Sequence, residues 1–331
     1  MKIFIILLLS VFGIVLIIYV SMWIFSIKKY PIEYGISFNQ NHAQYLGLDW
    51  KQVYLDMLSE LKPKYVRIAS MWSEVELEKG TYDFTNVDWM MDRAMEKGVK
   101  VVLVVGQKAP RWPECHVPIW TQTISKAEYD QKLLSYVRTV VERYQNHSAL
   151  EIWQIENEPY IRFRFGDCQN FDSTLLTKEI AIVKKLDLNH KILITDSGEL
   201  STWRRAHRAG DLFGTTMYRV VRTPQQWVFT YDWLPAGFYR YKALLWGLKP
   251  VDVFVAELQA EPWFTEEDAL NSPLSVQRET MNLDRLEKNF DYASRVGFSR
   301  AYLWGVEWWY WMKETNNDPS FWEAVKTKLS N

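Results

Sequence analysis

The chain has 331 residues, 48% of them hydrophobic and 15% aromatic with 17 tryptophans, enough for one large domain or two small ones. A formal net charge of -1 removes the electrostatic reason to expect nucleic acid as a partner. No metal-ligating histidine spacing and no glycine-rich phosphate loop stands out, so neither a metal site nor a cofactor is expected.

In chain order, Ile3–Ile27 comes first and carries no charge. About 20 such residues cross a bilayer as a helix, whereas a cleavable signal has a shorter apolar core of about 7–15 residues and a small-residue cleavage site. No such site stands out, so an uncleaved anchor over residues 1–29 is expected ahead of a signal peptide, with the bilayer as its partner. Lys2 on one side and Lys28 and Lys29 on the other leave the orientation open. The remainder, residues 30–331, is expected as one soluble domain outside the cytoplasm.

Strand and helix patterns then alternate. Strands are expected at Tyr34–Phe38, Tyr65–Ser70, Lys100–Val105, Ala149–Glu158, Lys191–Thr195, Leu212–Met217, Val251–Ala256 and Arg300–Trp304. Helices are expected at Asp49–Leu61, Asn86–Lys97, Ser125–Arg143, Thr174–Leu186, Tyr239–Leu248, Leu274–Val296 and Pro319–Leu329. Ser125 and Glu128 form a capping box. Eight such units point to an α/β fold, a (β/α)8 TIM barrel behind one N-terminal transmembrane helix. The stretches Gly106–Thr123 and Arg219–Ala236 follow strands and would overhang the active face.

The strand ends carry the chemistry. Asn157 and Glu158 end the fourth strand, where Pro159 stops the ladder. Arg67 lies near the end of the second, Tyr218 follows the sixth, Glu257 follows the seventh and Trp304 ends the eighth. In a barrel these side chains ring one mouth. Two carboxyls about 5–5.5 Å apart suit glycoside hydrolysis with retention, one as proton donor and one as nucleophile.

These residues carry a family resemblance. Asn157-Glu158-Pro159 and Glu257, with Trp72-Ser73-Glu74-Val75-Glu76, Gly80-Thr81-Tyr82-Asp83-Phe84 and Ala109-Pro110-Arg111-Trp112, resemble the clan A glycoside hydrolases. The similarity is to families 42 and 39, and more loosely to family 5. It implies a retaining β-glycosidase acting on oligo- or polysaccharides by double displacement. Glu158 would be the acid/base and Glu257 the nucleophile. Asn157 would bond the sugar 2-hydroxyl, Arg67 and Tyr218 would hold Glu257, and Trp304 would stack beneath the reacting sugar. Clan members often carry His or Asn after the third strand, where this chain has Gly106-Gln107-Lys108.

Glu261 rivals Glu257 as nucleophile, or else bonds a substrate hydroxyl. Trp112, Trp120, Trp263, Trp308 and Trp309 are loop candidates for distal sugars. Cys115 and Cys168 fall in adjacent loops, where a disulfide would suit an oxidising exterior; two free thiols are the alternative. The rival function is a catalytically inactive carbohydrate-binding barrel tethered to the membrane. Sugar, linkage, endo or exo action and oligomeric state are not legible.

Overall fold

Eight of the apolar runs pair side by side in parallel and close on themselves. The computed structural model describes residues 2–161, 166, 168, 171–223, 225–264 and 268–330. Its strands are β1 (Glu33–Ser37), β2 (Tyr65–Ala69), β3 (Lys100–Val105), β4 (Leu150–Ile155), β5 (Lys191–Asp196), β6 (Leu212–Met217), β7 (Val220–Arg222), β8 (Val228–Thr230), β9 (Val253–Gln259) and β10 (Arg300–Trp304). The closed barrel runs β1-β10-β9-β6-β5-β4-β3-β2, and β7 and β8 make a separate antiparallel hairpin after β6. This is the TIM-barrel fold that the alternating pattern predicts.

Alternation along each strand sorts the side chains. In β3, Val101, Leu103 and Val105 pack outward against the helices. Val102 points inward and meets Ile152, Leu193, Leu212, Phe254 and Tyr302. That apolar layer plugs the barrel. Two residues further up β4 and β5, on the same face, stand Gln154 and Thr195, both buried. The interior therefore turns polar towards the carboxyl ends of the strands, where ligands bind in this architecture.

A bulge re-aims one side chain. Val255 of β9 faces Thr215 of β6, but Glu257, not Ala256, faces Thr216. The register to β10 slips at the same place, with Val255 opposite Ala301 and Leu258 opposite Leu303. One extra residue reverses the inward–outward alternation. Phe254 points into the barrel below the slip and Glu257 points into it above.

Several boundaries differ from expectation. Strand β4 ends at Ile155, not near Glu158, because Glu156 and Glu158 both take positive φ, 58° and 44°. Strand β9 starts at Val253, after a 3-10 turn over Pro250–Asp252, and contains Glu257 instead of stopping before it. The single helix expected over Leu274–Val296 is two, Leu274–Thr280 and Leu283–Val296. Met281 is extended there, and the Asn282 side chain accepts from Arg285 N to start the second helix. A helix at Val306–Thr315 carries Trp308 and Trp309 into the core, bonded to Gln277 and to the carbonyl of Ala260, so neither is a loop residue for sugars.

The N-terminal helix α1 (Lys2–Phe25) is the one described helix long and apolar enough to cross a membrane, over Ile3–Phe25. Its last turns lie on the helix Gly237–Leu245.

Candidate active site

The site is assembled from the turn that follows β4. The Glu156 carboxylate accepts from the backbone N–H of Gln107 (2.9 Å) and of Lys108 (2.6 Å), tying the loop after β3 to the end of β4. Glycine is required opposite. Gly106 has φ 132°, and a Cβ there would stand 2.4 Å from Glu156 Oε1. Asn157 N then donates to the Lys108 carbonyl (2.7 Å), and Glu158 N to Thr195 Oγ1 (2.9 Å). Two left-handed residues and these bonds lift Asn157 and Glu158 onto the rim.

Arg67 sits at the centre, 1% exposed. Its guanidinium donates to Gln154 Oε1 (2.8 Å), Asn157 Oδ1 (2.9 Å), the Ala256 carbonyl (3.3 Å) and Glu257 Oε1 (3.0 Å). The other Glu257 oxygen accepts from the Tyr218 hydroxyl (2.7 Å). Both carboxylate oxygens are held, so the group cannot swing. Asn157 Oδ1 is also shared by Gln154 and Thr195, leaving its amide N–H₂ as the end facing the cleft, where Glu114 Oε2 lies 3.4 Å away.

Glu158 is held differently. Its Oε1 accepts one bond, from Thr216 Oγ1 (3.3 Å). Burial first, and then the charge on Glu257, push its carboxyl well above the usual range, against a smaller opposing pull from Lys108. Burial and the Glu257 charge likewise push the Tyr218 phenol upward, so it remains a donor. Two acids in one cleft thus sit in unlike environments, one clamped by a cation and one driven towards its neutral form.

The cleft holds about 290 Å³ and is walled by Glu114, Glu158, Tyr218, Glu257, Trp263 and Trp304 among others. Trp304 is flanked by Arg111, whose guanidinium carbon lies 4.2 Å from the ring centroid. Arg111 in turn is bonded to Glu261 and to Glu307 (2.9 Å), so Glu261 serves a buried ion cluster. Trp112 stands apart on the outer loop, 75% exposed, and Trp120 is tied down through its N–H to the Glu76 carbonyl.

Glu114 was not among the sequence candidates, and with Glu199 it adds to the acids lining the cleft. Burial, with the charge of Glu257, moves its carboxyl up to about 7, against the pull of Lys108, whose ammonium is 3.7 Å away. Its neighbour Cys115 is joined to Cys168, linking the loops after β3 and β4 with Cα atoms 5.1 Å apart. An acid beside a bridging cysteine in a loop over the active face was the available signal. Among the described residues no group of three or more His, Cys, Asp or Glu could hold a metal ion.

Comparison with known proteins agrees with this frame. Residues 64–168 match glycosyl hydrolase family 10. A β-galactosidase of Arthrobacter sp is 28% identical over 123 residues, covering 31% of this chain and 18% of that protein. The matched stretch therefore spans less than a fifth of that relative. Among solved structures, xylanase 10B from Thermotoga petrophila in complex with xylobiose superposes with a TM-score of 0.57 at 16% identity, covering 90% of this chain and 95% of that one. The β-galactosidase of the psychrophilic Marinomonas ef1 gives 0.55 at 13%, covering 82% and 54%. At these identities the superpositions speak for the fold. The chain is a closed (β/α)8 barrel, similar over residues 64–168 to glycosyl hydrolase family 10 and, in fold, to xylanase and β-galactosidase structures.

Proposed function

We propose that this protein is a retaining β-glycosidase that cleaves O-glycosidic bonds by double displacement. One observation carries the reading: Glu158 and Glu257 line one cleft in opposite electrostatic settings. Glu158, held towards its neutral form, protonates the departing glycosidic oxygen. Glu257, clamped by Arg67 and Tyr218, attacks the anomeric carbon and forms the covalent glycosyl intermediate. Glu158, now a carboxylate, takes a proton from the water that releases the sugar. The Asn157 amide faces the sugar 2-hydroxyl, and Trp304 offers its ring as a floor.

The β-anomer and the carbohydrate class rest on the likeness to xylanases and β-galactosidases. The sugar is left to the loops, since sugars that differ by one hydroxyl are separated by one or two directed hydrogen bonds. The apolar helix α1 acts as an uncleaved anchor, with residues 30–331 forming the catalytic domain outside the cytoplasm, in keeping with the Cys115–Cys168 bridge.

A panel of aryl β-glycosides tests the reading. Glu257→Ala should abolish turnover, and azide should restore it with a product of inverted anomeric configuration, seen by proton NMR. Full activity in Glu257→Ala would remove the assignment. An initial product of inverted configuration from the unmodified enzyme would replace double displacement with direct attack by water.

A further inference from the structure

The junction between α1 and the barrel is built, not incidental. The Tyr19 hydroxyl donates to the Trp233 carbonyl (2.6 Å), the Tyr241 hydroxyl to Ser21 Oγ (2.8 Å), and Gly237 N to Ser26 Oγ (2.7 Å). Gly237 has no room for a side chain, because a Cβ there would stand 2.2 Å from the Met22 carbonyl oxygen. The apolar helix is therefore seated at a fixed place, beside the segment that connects β6 to the helix Gly237–Leu245.

That same segment is a wall of the cleft. Val221, Arg222, Thr223 and Tyr231, on or beside the β7–β8 hairpin, face the cavity that holds Glu158 and Glu257. Away from the cavity the hairpin and its exit expose Trp227 (75%), Val228 (40%), Phe229 (41%) and Trp233 (55%). No acidic residue occurs between Tyr218 and Tyr231. Arg222 is paired with Glu279, and Asp232, beside Trp233, with Arg285, so the exposed tryptophans stand on a surface whose nearby charges are matched, as at a membrane–water boundary. On a water-facing loop such aromatics would remain hydrated at a cost.

The length of α1 sets the depth. Its apolar part has 23 residues, roughly 34 Å at about 1.5 Å per residue, against a hydrocarbon core of about 30 Å. Tyr19 is six residues before Phe25, about 9 Å from the helix end. A spanning α1 thus places Tyr19, and Trp233 bonded to it, within about 9 Å of the boundary between acyl chains and headgroups, on its acyl side. Trp23, against Tyr19 at 6.4 Å between centroids, joins the same belt.

We propose that the β7–β8 hairpin rests in the headgroup layer of the bilayer that holds α1, so that the cleft opens along the membrane surface, and that the substrate is a lipid-linked glycan. The occupant of the exposed aromatic patch is the bilayer, continuous with the span itself. The substrate assignment rests on the glycosidase reading above; the membrane contact of the hairpin rests on α1 being a retained span.

The test uses the full chain in phosphatidylcholine vesicles. A fluorophore on Gln225→Cys, at the hairpin tip, should be quenched by brominated lipid, whereas one on Lys191→Cys, at the opposite end of the barrel, should not; Cys115 and Cys168 are bonded and do not take the label. Two substrates are then compared, a dinitrophenyl β-glycoside in water and an octadecyl β-glycoside of the same sugar in the vesicles. The double variant Trp227→Ser with Val228→Ser should lose about tenfold or more on the vesicle-borne substrate, from lost apolar burial, and stay within about twofold on the soluble one. Phe229 is left in place because its ring packs on Tyr231. No quenching at position 225, or equal quenching at both positions, overturns the membrane contact. Equal turnover of the vesicle-borne substrate by variant and parent overturns the lipid-linked substrate. Failure of the parent to cleave any soluble aryl glycoside overturns the glycosidase reading instead, and the quenching arm still decides where the hairpin lies.

Discussion

Replacing Arg67 by methionine should destabilise the barrel far more than the loss of one surface charge would. Arg67 and Glu257 have side chains only 1% and 6% exposed. Removing one member of such a pair leaves the other charge without compensation, at about 3–5 kcal/mol. Each kcal/mol moves the midpoint of a domain of roughly 150–250 residues by about 2–4 °C, so Arg67→Met should melt roughly 6–20 °C below the parent. The lost contacts to Gln154 and Asn157 add to this, though Asn157 Oδ1 keeps bonds from Gln154 and Thr195. The separating measurement is a double-mutant cycle followed by circular dichroism. Glu257→Gln removes the orphaned charge, so on the Arg67→Met background it should restore stability, with a coupling of at least about 1 kcal/mol. Additivity within about 0.5 kcal/mol, or a midpoint for Arg67→Met within about 2 °C of the parent, would refute the claim that a buried ion pair organises this site.

Three further outcomes are expected. Glu158→Gln should lower kcat/KM by about 10²–10⁴-fold on an alkyl glycoside, whose leaving group needs a proton, and far less on a dinitrophenyl glycoside, whose leaving group does not; equal losses on both would argue against the acid role. Gly106→Ala should cost about 1–3 kcal/mol in thermal melts, since the new Cβ meets the Glu156 carboxylate and the backbone is left-handed there; a neutral effect would show that the loop is loosely held. Glu114, whose carboxyl is raised to about 7 against an ordinary 4.5, adds stability that is complete below about pH 4.5 and lost as pH rises through about 7. Glu114→Gln should therefore flatten the fall in melting temperature across that window, and an unchanged slope would place the titration elsewhere.

Much of the barrel was legible because its strands are buried on both faces. Lys100–Val105, Leu212–Met217 and Arg300–Trp304 sit where the sequence places them. Apolar runs between turn residues are a strong local signal. The site was partly legible for the same reason, since a polar residue at the end of such a run is conspicuous. What the local pattern missed depends on distant partners. The early end of β4 follows from a carboxylate bonded across to the loop after β3. The strands β7 and β8, within the expected overhanging stretch Arg219–Ala236, give no sequence signal because each is three residues long. Trp308 and Trp309 look like loop aromatics in sequence, and only the closing of the ring shows that they are core.

Glu257 shows most plainly how the local and distant signals combine. Its place after Val253-Phe254-Val255-Ala256 is readable, but strict alternation from the inward Phe254 would send Glu257 outward into the helical layer. There an acid would meet valine and leucine with no cation to receive it. The one-residue slip against both β6 and β10 turns it inward instead, where Arg67 waits. The electrostatic gain of the pair and the irregularity of the strand are thus one event. Deleting Ala256 would remove the extra residue and leave Glu257 two positions after the inward Phe254, still opposite Thr216 and aimed at Arg67, so that variant should keep the pair and measurable activity. Complete loss of activity in that deletion, with the fold intact by circular dichroism, would mean that the inward aim of Glu257 is not set by alternation from Phe254.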